Sequence, residues 1–156
     1  WHLRSRHMLS PRIASLVIAA IAFAIIAGAW MFEYAGYAPC ELCLLQRWPY
    51  YVGIPFALIM ALWNPPWIKA TLWLMALLWA GSAIFGTYHS GVEWSWWQGP
   101  TTCSGGDLNF GEGLPDLTKT AVKCNEAALR IFGLSLAGWN AVVSAMLATI
   151  AVRSTR

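Results

Sequence analysis

Charge is what this chain has least of. Only 11% of its 156 residues are Asp, Glu, Lys or Arg, against roughly 25% in a soluble domain. The net charge of +3 is not gathered into a basic face, which argues against nucleic acid as a partner. There is no internal repeat and no low-complexity tract. No cleavable signal peptide is evident, since the first apolar run is long enough to span a bilayer and no small-residue cleavage site follows it.

What the chain has instead is apolar sequence, 58% of the total. It falls into four blocks: Ile13 to Phe32, Leu44 to Trp63, Ile68 to Tyr88 and Ile131 to Val152. Each approaches the ~20 residues that cross a hydrocarbon core, and none carries the polar face of a soluble helix. The expected fold is therefore all-α, a membrane four-helix bundle with two extracytoplasmic loops, the second long and bearing short interfacial helices. Residues 1–12 form an N-terminal cytoplasmic segment, 13–152 the transmembrane domain and 153–156 a tail. Residues 1–7, "WHLRSRH", are native or an expression scar ending at "HM", and enter no functional reading.

Four spans put both termini and the second inner link on one side. That side carries Arg4, Arg6, Arg12, Lys69, Arg153 and Arg156 and no acidic residue. The other carries Glu33, Glu41, Glu93, Asp107, Glu112, Asp116 and Glu126, with Lys119, Lys123 and Arg130. The Lys/Arg excess assigns the termini to the cytoplasm.

Along the chain, Pro39 or Cys40 starts the second helix, and Pro49 and Pro55 are expected to kink it and make room for something. "GVEWSWWQGP" brings Trp94, Trp96 and Trp97 to the headgroup region. "TKTAVKCNEAALRIFG" reads as a short helix leading into the last span, where Gly133, Ala137 and Gly138 permit close packing.

On this topology Cys40, Cys43, Cys103 and Cys124, the four cysteines, all lie outside the cytoplasmic side. Their segregation points to disulfide chemistry in an oxidising compartment. Three pairings are possible, and proximity favours Cys40 with Cys43 and Cys103 with Cys124. "PCELCLLQR", residues 39–47, is open to three readings: a structural disulfide, a metal site or a redox centre. A CxxC at a helix start has N–H groups that favour thiolate. Arg47, four residues after Cys43, either steadies that negative charge or anchors the helix in headgroups. A zinc site is disfavoured by the wide spacing of the second pair. His89, ending the third span, reads as a polar helix cap or as a contact to a ligand's oxygen.

These residues resemble the DsbB family, the bacterial inner-membrane disulfide-bond formation proteins. The resemblance rests on "PCELCLLQR" at the head of the second of four spans, with a second cysteine pair in the second outer loop. It covers nearly the whole chain, and "GVEWSWWQGPTTCSG" is similar to that loop in one branch of the family. The resemblance implies a multi-pass protein of the bacterial inner membrane, its cysteines periplasmic and its termini cytoplasmic. A thioredoxin-fold DsbA-type partner would attack the Cys103–Cys124 disulfide, forming a mixed disulfide at Cys103. Electrons would pass through a transient Cys40–Cys124 bond to Cys40–Cys43. Cys43, as thiolate, would meet a ubiquinone or menaquinone from the membrane pool, with Arg47 and His89 beside it. The implied catalytic residues are thus Cys40, Cys43, Cys103 and Cys124, with Cys43, Arg47 and His89 at the cofactor and no metal. Competing readings are a paralogue dedicated to one partner and a membrane scaffold with structural disulfides. A vitamin-K-epoxide-reductase-like arrangement would need a CxxC at the outer end of a later helix.

Overall fold

Ser10 opens the first helix, its Oγ accepting the Ile13 N–H at 3.3 Å. Pro11 follows at a position where a missing N–H has no partner to lose. The structure is a computed structural model describing residues 9–100, 126–127 and 129–156. Helix α1 runs Pro11–Tyr34 and ends ahead of Gly36, whose φ of +105° needs a residue without Cβ. Then come α2 (Glu41–Leu45), α3 (Trp48–Trp63) and α4 (Ile68–Glu93). Asn64 closes α3 in the left-handed region at φ 48°, before the two prolines of the inner turn.

The second apolar block departs from the expected kinked helix. It is broken at Gln46 and Arg47, and Pro49 stands in the first turn of α3. Pro49 has no N–H to offer the Leu45 carbonyl, and its ring crowds that carbonyl. The helix therefore stops and restarts. Pro55 stays inside α3. At 16 residues, α3 is about 24 Å long. Helices α1, α4 and the last helix, α5 (Leu136–Arg153), are each long and apolar enough to cross a membrane.

A second departure precedes α5. Residues 131–135 are not helical. Strands β1 (Arg130–Ile131) and β2 (Leu134–Ser135) pair antiparallel, Arg130 opposite Ser135 and Ile131 opposite Leu134. Phe132 and Gly133 turn the chain with φ of 51° and 79°, both positive as a tight two-residue hairpin requires. Gly133 is thus a turn residue and not a helix-packing one. Ser135 caps α5 (Leu136–Arg153), its Oγ accepting the Gly138 N–H at 3.2 Å. The mostly helical architecture agrees with an all-α membrane protein, with this hairpin added. The short helix expected over residues 118–133 is not formed at its described end, since 126–127 and 129–133 are bend, irregular, strand or turn; residues 101–125 and 128 of the second outer loop lie outside the described ones.

Helices α1, α3, α4 and α5 form a ring. Its largest contacts are α4 with α5 and α1 with α3. The interior is built from small side chains, including Ala14, Ala22, Ala57, Ala61 and Ala151, around Trp79. Leu62, Leu77 and Ile84 point outward and exposed. Small inside and large outside is the pattern of a bundle whose solvent is lipid. Gly86 marks a close backbone-to-backbone seam: a Cβ there would lie 3.0 Å from the Ala141 nitrogen and 3.2 Å from the Ala137 oxygen. Buried hydroxyls tie three helices. Tyr50 on α3 donates to Asn140 Oδ1 on α5, and Ser82 on α4 bonds Ser144 on α5 at 2.9 Å. At the inner end Arg12 Nε donates to the Ala61 carbonyl at 2.9 Å, answering the α3 C-terminus.

Gly86→Leu is expected to force α4 and α5 apart and cost about 1–3 kcal/mol, read as a lower thermal midpoint in detergent. Gly81→Leu is the control, since an added Cβ meets nothing within 4 Å there.

Candidate active site

Pro39 and Cys40 lead into α2, and Cys40 is its N-cap, extended at φ −79° and ψ 172°. That conformation turns the Cys40 sulfur back over the first turn, where it accepts the Cys43 N–H at 3.2 Å. Cys43 stands one turn later, its sulfur 2.6 Å from that of Cys40. The two are free thiols. Cys40 is buried and Cys43 half-buried. With five residues, α2 is too short for much of a dipole. The favourable field at Cys40 is one directed N–H and its neighbours.

His89 is fully buried and brings Nε2 to 3.5 Å from the Cys40 sulfur. It is neither a solvated cap nor at the end of its helix. Helix α4 continues one more turn to Glu93, a residue that the sequence pattern places in the loop. Glu93 Oε1 lies 3.6 Å from the same His89 Nε2. The continuation is held by its neighbours. Trp97 folds back on Gly91, donates to the Tyr88 carbonyl at 3.0 Å and stacks on the Tyr88 ring. Trp94 lies under the Arg130 guanidinium at 4.2 Å, joining α4 to the hairpin. Trp94 and Trp97 are therefore packing residues as well as interfacial ones.

In this pair one proton serves two sulfurs. The Cys43 thiol hydrogen-bonds the Cys40 sulfur and lowers the Cys40 pKa to about 5. Burial opposes the shift, and the His89 contact adds to it. Cys43 is pushed up, because it holds the shared proton for its partner and is itself buried. The pair as a whole thus favours holding one negative charge, with the Cys43 N–H and His89 both directed at the Cys40 sulfur.

Arg47 does not reach a thiolate. Its Nη1 is 2.7 Å from Glu33 Oε2 in the last turn of α1. Arg47 still lines the same cleft as Cys43, with its charge paired to Glu33. The partner that sequence reasoning missed is Glu33, 14 positions away, for which no spacing rule exists. Glu93 was missed too, although His89 and Glu93 have the i,i+4 spacing of helical neighbours.

Cys43, Arg47, Asn140 and Glu93 line a cleft of about 470 Å³, within the roughly 300–1,000 Å³ of small-molecule sites. Its walls are apolar, with Ile25, Gly28 and Phe32 from α1 and Val143 from α5 among them. Asn140 Nδ2, buried at this cleft, has no hydrogen-bond partner among the described residues. The Cys40, Cys43 and His89 donor atoms lie within 4.8 Å of one another. Two sulfurs 2.6 Å apart stand closer than the about 3.8 Å separating thiolates on a tetrahedral zinc. The cluster suits sulfur–sulfur and proton chemistry. Cys103 and Cys124 lie outside the described residues.

In the reduced protein, with Cys103 and Cys124 replaced by Ser, thiolate absorbance is expected to titrate with a midpoint near 5. The thiolate is present above that pH and lost below it. Cys43→Ala removes the donor and moves the midpoint up, toward the roughly 8.5 of a free thiol.

Comparison with known proteins agrees with this chemistry. The family model described as disulfide bond formation protein DsbB matches residues 11–153. The chain is also 29% identical over 144 residues to the uncharacterized protein RP370 of Rickettsia prowazekii (strain Madrid E), covering 85% of this chain and 81% of that protein. No solved structure matches with significance. The match from the first span to the last means that the chain belongs to the DsbB family, as a membrane disulfide-forming oxidoreductase.

Proposed function

We propose that this protein is a thiol:quinone oxidoreductase, which reoxidises a periplasmic DsbA-type dithiol partner and passes the electrons to a membrane quinone. The observation that carries this reading is a reactive thiol pair at the polar end of an apolar cleft inside a lipid-facing bundle. A water-soluble acceptor would have no use for hydrocarbon walls. The residues present fit a quinone: its carbonyl oxygens are acceptors, and the unpaired Asn140 amide is a buried donor. Ubiquinone or menaquinone would supply a two-electron, two-proton acceptor. Cys43, Arg47 and Asn140 would hold its head, and α1 and α5 its apolar part.

The chain's own residues divide the work. Cys103 takes the partner in a mixed disulfide, and Cys124 returns electrons to Cys40. Cys40, stabilised as thiolate, closes on Cys43 to remake the disulfide. Arg47 comes already neutralised by Glu33, so the lip of the cleft keeps a donor without an uncompensated charge. The broken segment α2–α3 serves as the second of four spans. The Lys/Arg bias supports cytoplasmic termini, with the thiols on the periplasmic side of the bacterial inner membrane.

Purified protein, a reduced DsbA-type partner and a short-chain quinone should show loss of quinone absorbance. Cys43→Ser should abolish it, and unchanged turnover in that variant would sink the reading. Cys103→Ser should abolish the mixed disulfide with the partner, and a normal yield would refute its role. Gly28→Leu tests the cleft. An added Cβ at Gly28 meets nothing within 4 Å, so the larger side chain occupies cleft space. Quinone affinity should fall at least about tenfold, a loss of about 1.4 kcal/mol. The helix itself gains up to about 1 kcal/mol from replacing Gly.

A further inference from the structure

Closing the Cys40–Cys43 disulfide releases two electrons and two protons. On the oxidase reading, which the relay described here presupposes, both have to reach a quinone in the cleft. Two thiols lose their hydrogens and form one S–S bond, and the quinone gains two electrons and two protons and leaves as quinol. Electrons can pass at the sulfurs. Protons need a chain of nitrogen or oxygen, and apolar walls offer none.

One such chain is present. His89 Nε2 is 3.5 Å from the Cys40 sulfur and 3.6 Å from Glu93 Oε1. A single nitrogen thus faces the proton's source and its next acceptor. Glu93 is 6% exposed, lines the cleft, and leaves Oε2 without a partner among the described residues. A buried carboxyl in an apolar bundle is costly and marks a function more often than a fold contact. We infer that Glu93, working through His89, carries the proton shared by Cys40 and Cys43 to the acceptor in the cleft.

The local chemistry suits this transfer. Nε2 reaches the Cys40 sulfur within hydrogen-bond range for sulfur. Its separation from Glu93 Oε1 exceeds a formed hydrogen bond by a few tenths of an ångström, a common state of a catalytic contact before its ligand arrives. The groups facing Glu93 come from several elements: His89 on its own helix, Cys40 and Cys43 at α2, Arg130 of β1 and the Ser135 hydroxyl at the head of α5. Burial pushes the Glu93 carboxyl up, toward its protonated form, while Ser135, His89 and Arg130 favour the carboxylate that accepts the proton. The thiolate on Cys40 favours its protonated form, so each redox state of the sulfurs changes which form Glu93 prefers.

The test compares wild type and Glu93→Gln, which keeps shape and hydrogen-bonding capacity but cannot carry a proton. Single-turnover oxidation of the reduced protein by a short-chain quinone should fall on the order of 10²-fold or more. It should lose part of its pH dependence and recover with added formate. Quinone binding, read by tryptophan quenching, should be unchanged. A second readout is independent of rate. The infrared difference spectrum between dithiol and disulfide states should contain a protonated-carboxyl band that Glu93→Gln abolishes. If Glu93→Gln does not fold, His89→Ala with added imidazole takes its place, and recovery of rate is expected. Wild type that quinone fails to oxidise would overturn the oxidase reading itself. Wild type that is oxidised normally, with an equal rate and pH profile in Glu93→Gln, no carboxyl band, or no imidazole recovery in His89→Ala, would overturn the relay alone.

Discussion

A helix in hydrocarbon has to keep its backbone hydrogen bonds, and the second apolar segment gives one up. Pro49 cannot answer the Leu45 carbonyl, so α2 ends there. The chain recovers only when Tyr50 and Tyr51 both donate to the Arg47 carbonyl at 3.1 Å. Much of the site depends on that interruption. It isolates Cys40 and Cys43 in a single turn at the head of the cleft. Arg47, at the break itself, lines the same cleft and pairs with Glu33 of α1.

The ionisable groups at this end occur in pairs that each share a charge or a proton. Arg47 has Glu33, Cys40 has Cys43 and His89 has Glu93. Paired groups are tolerable in a medium of low dielectric where single ones are not. They also let the centre change oxidation state without creating an isolated charge, because a proton lost from one member of a pair has a neighbour to receive it.

Much of this architecture was legible in the sequence because lipid imposes long-range order on composition. Twenty apolar residues signal a span whatever their order, and the CxxC announced itself by residue type. The rest was hidden for particular reasons. Glu93 sits in "GVEW", where Gly91 suggests a helix end; the helix continues because Trp97 packs on that glycine, a contact made after the turn. The hairpin before α5 escaped because two-residue strands have no periodicity, and because Phe132 adopts a positive φ unusual for an aromatic residue. The Arg47–Glu33 pair joins two helices, and no local pattern encodes it. That the Cys43 N–H and His89 both face the Cys40 sulfur is likewise a matter of three-dimensional placement that no local pattern encodes.

The fit of Gly86 against Ala137 and Ala141 has a mechanical consequence. With backbones this close, α4 and α5 behave as one stiff leaf, while α1 and α3 form the other. Contact between α1 and α5 is slight, and the cleft opens beside that join. Contact between α3 and α4 is about as slight, so the two leaves meet loosely along both joins, and the cleft takes up one of them: room for a bulky guest lies between rigid pairs and not within one.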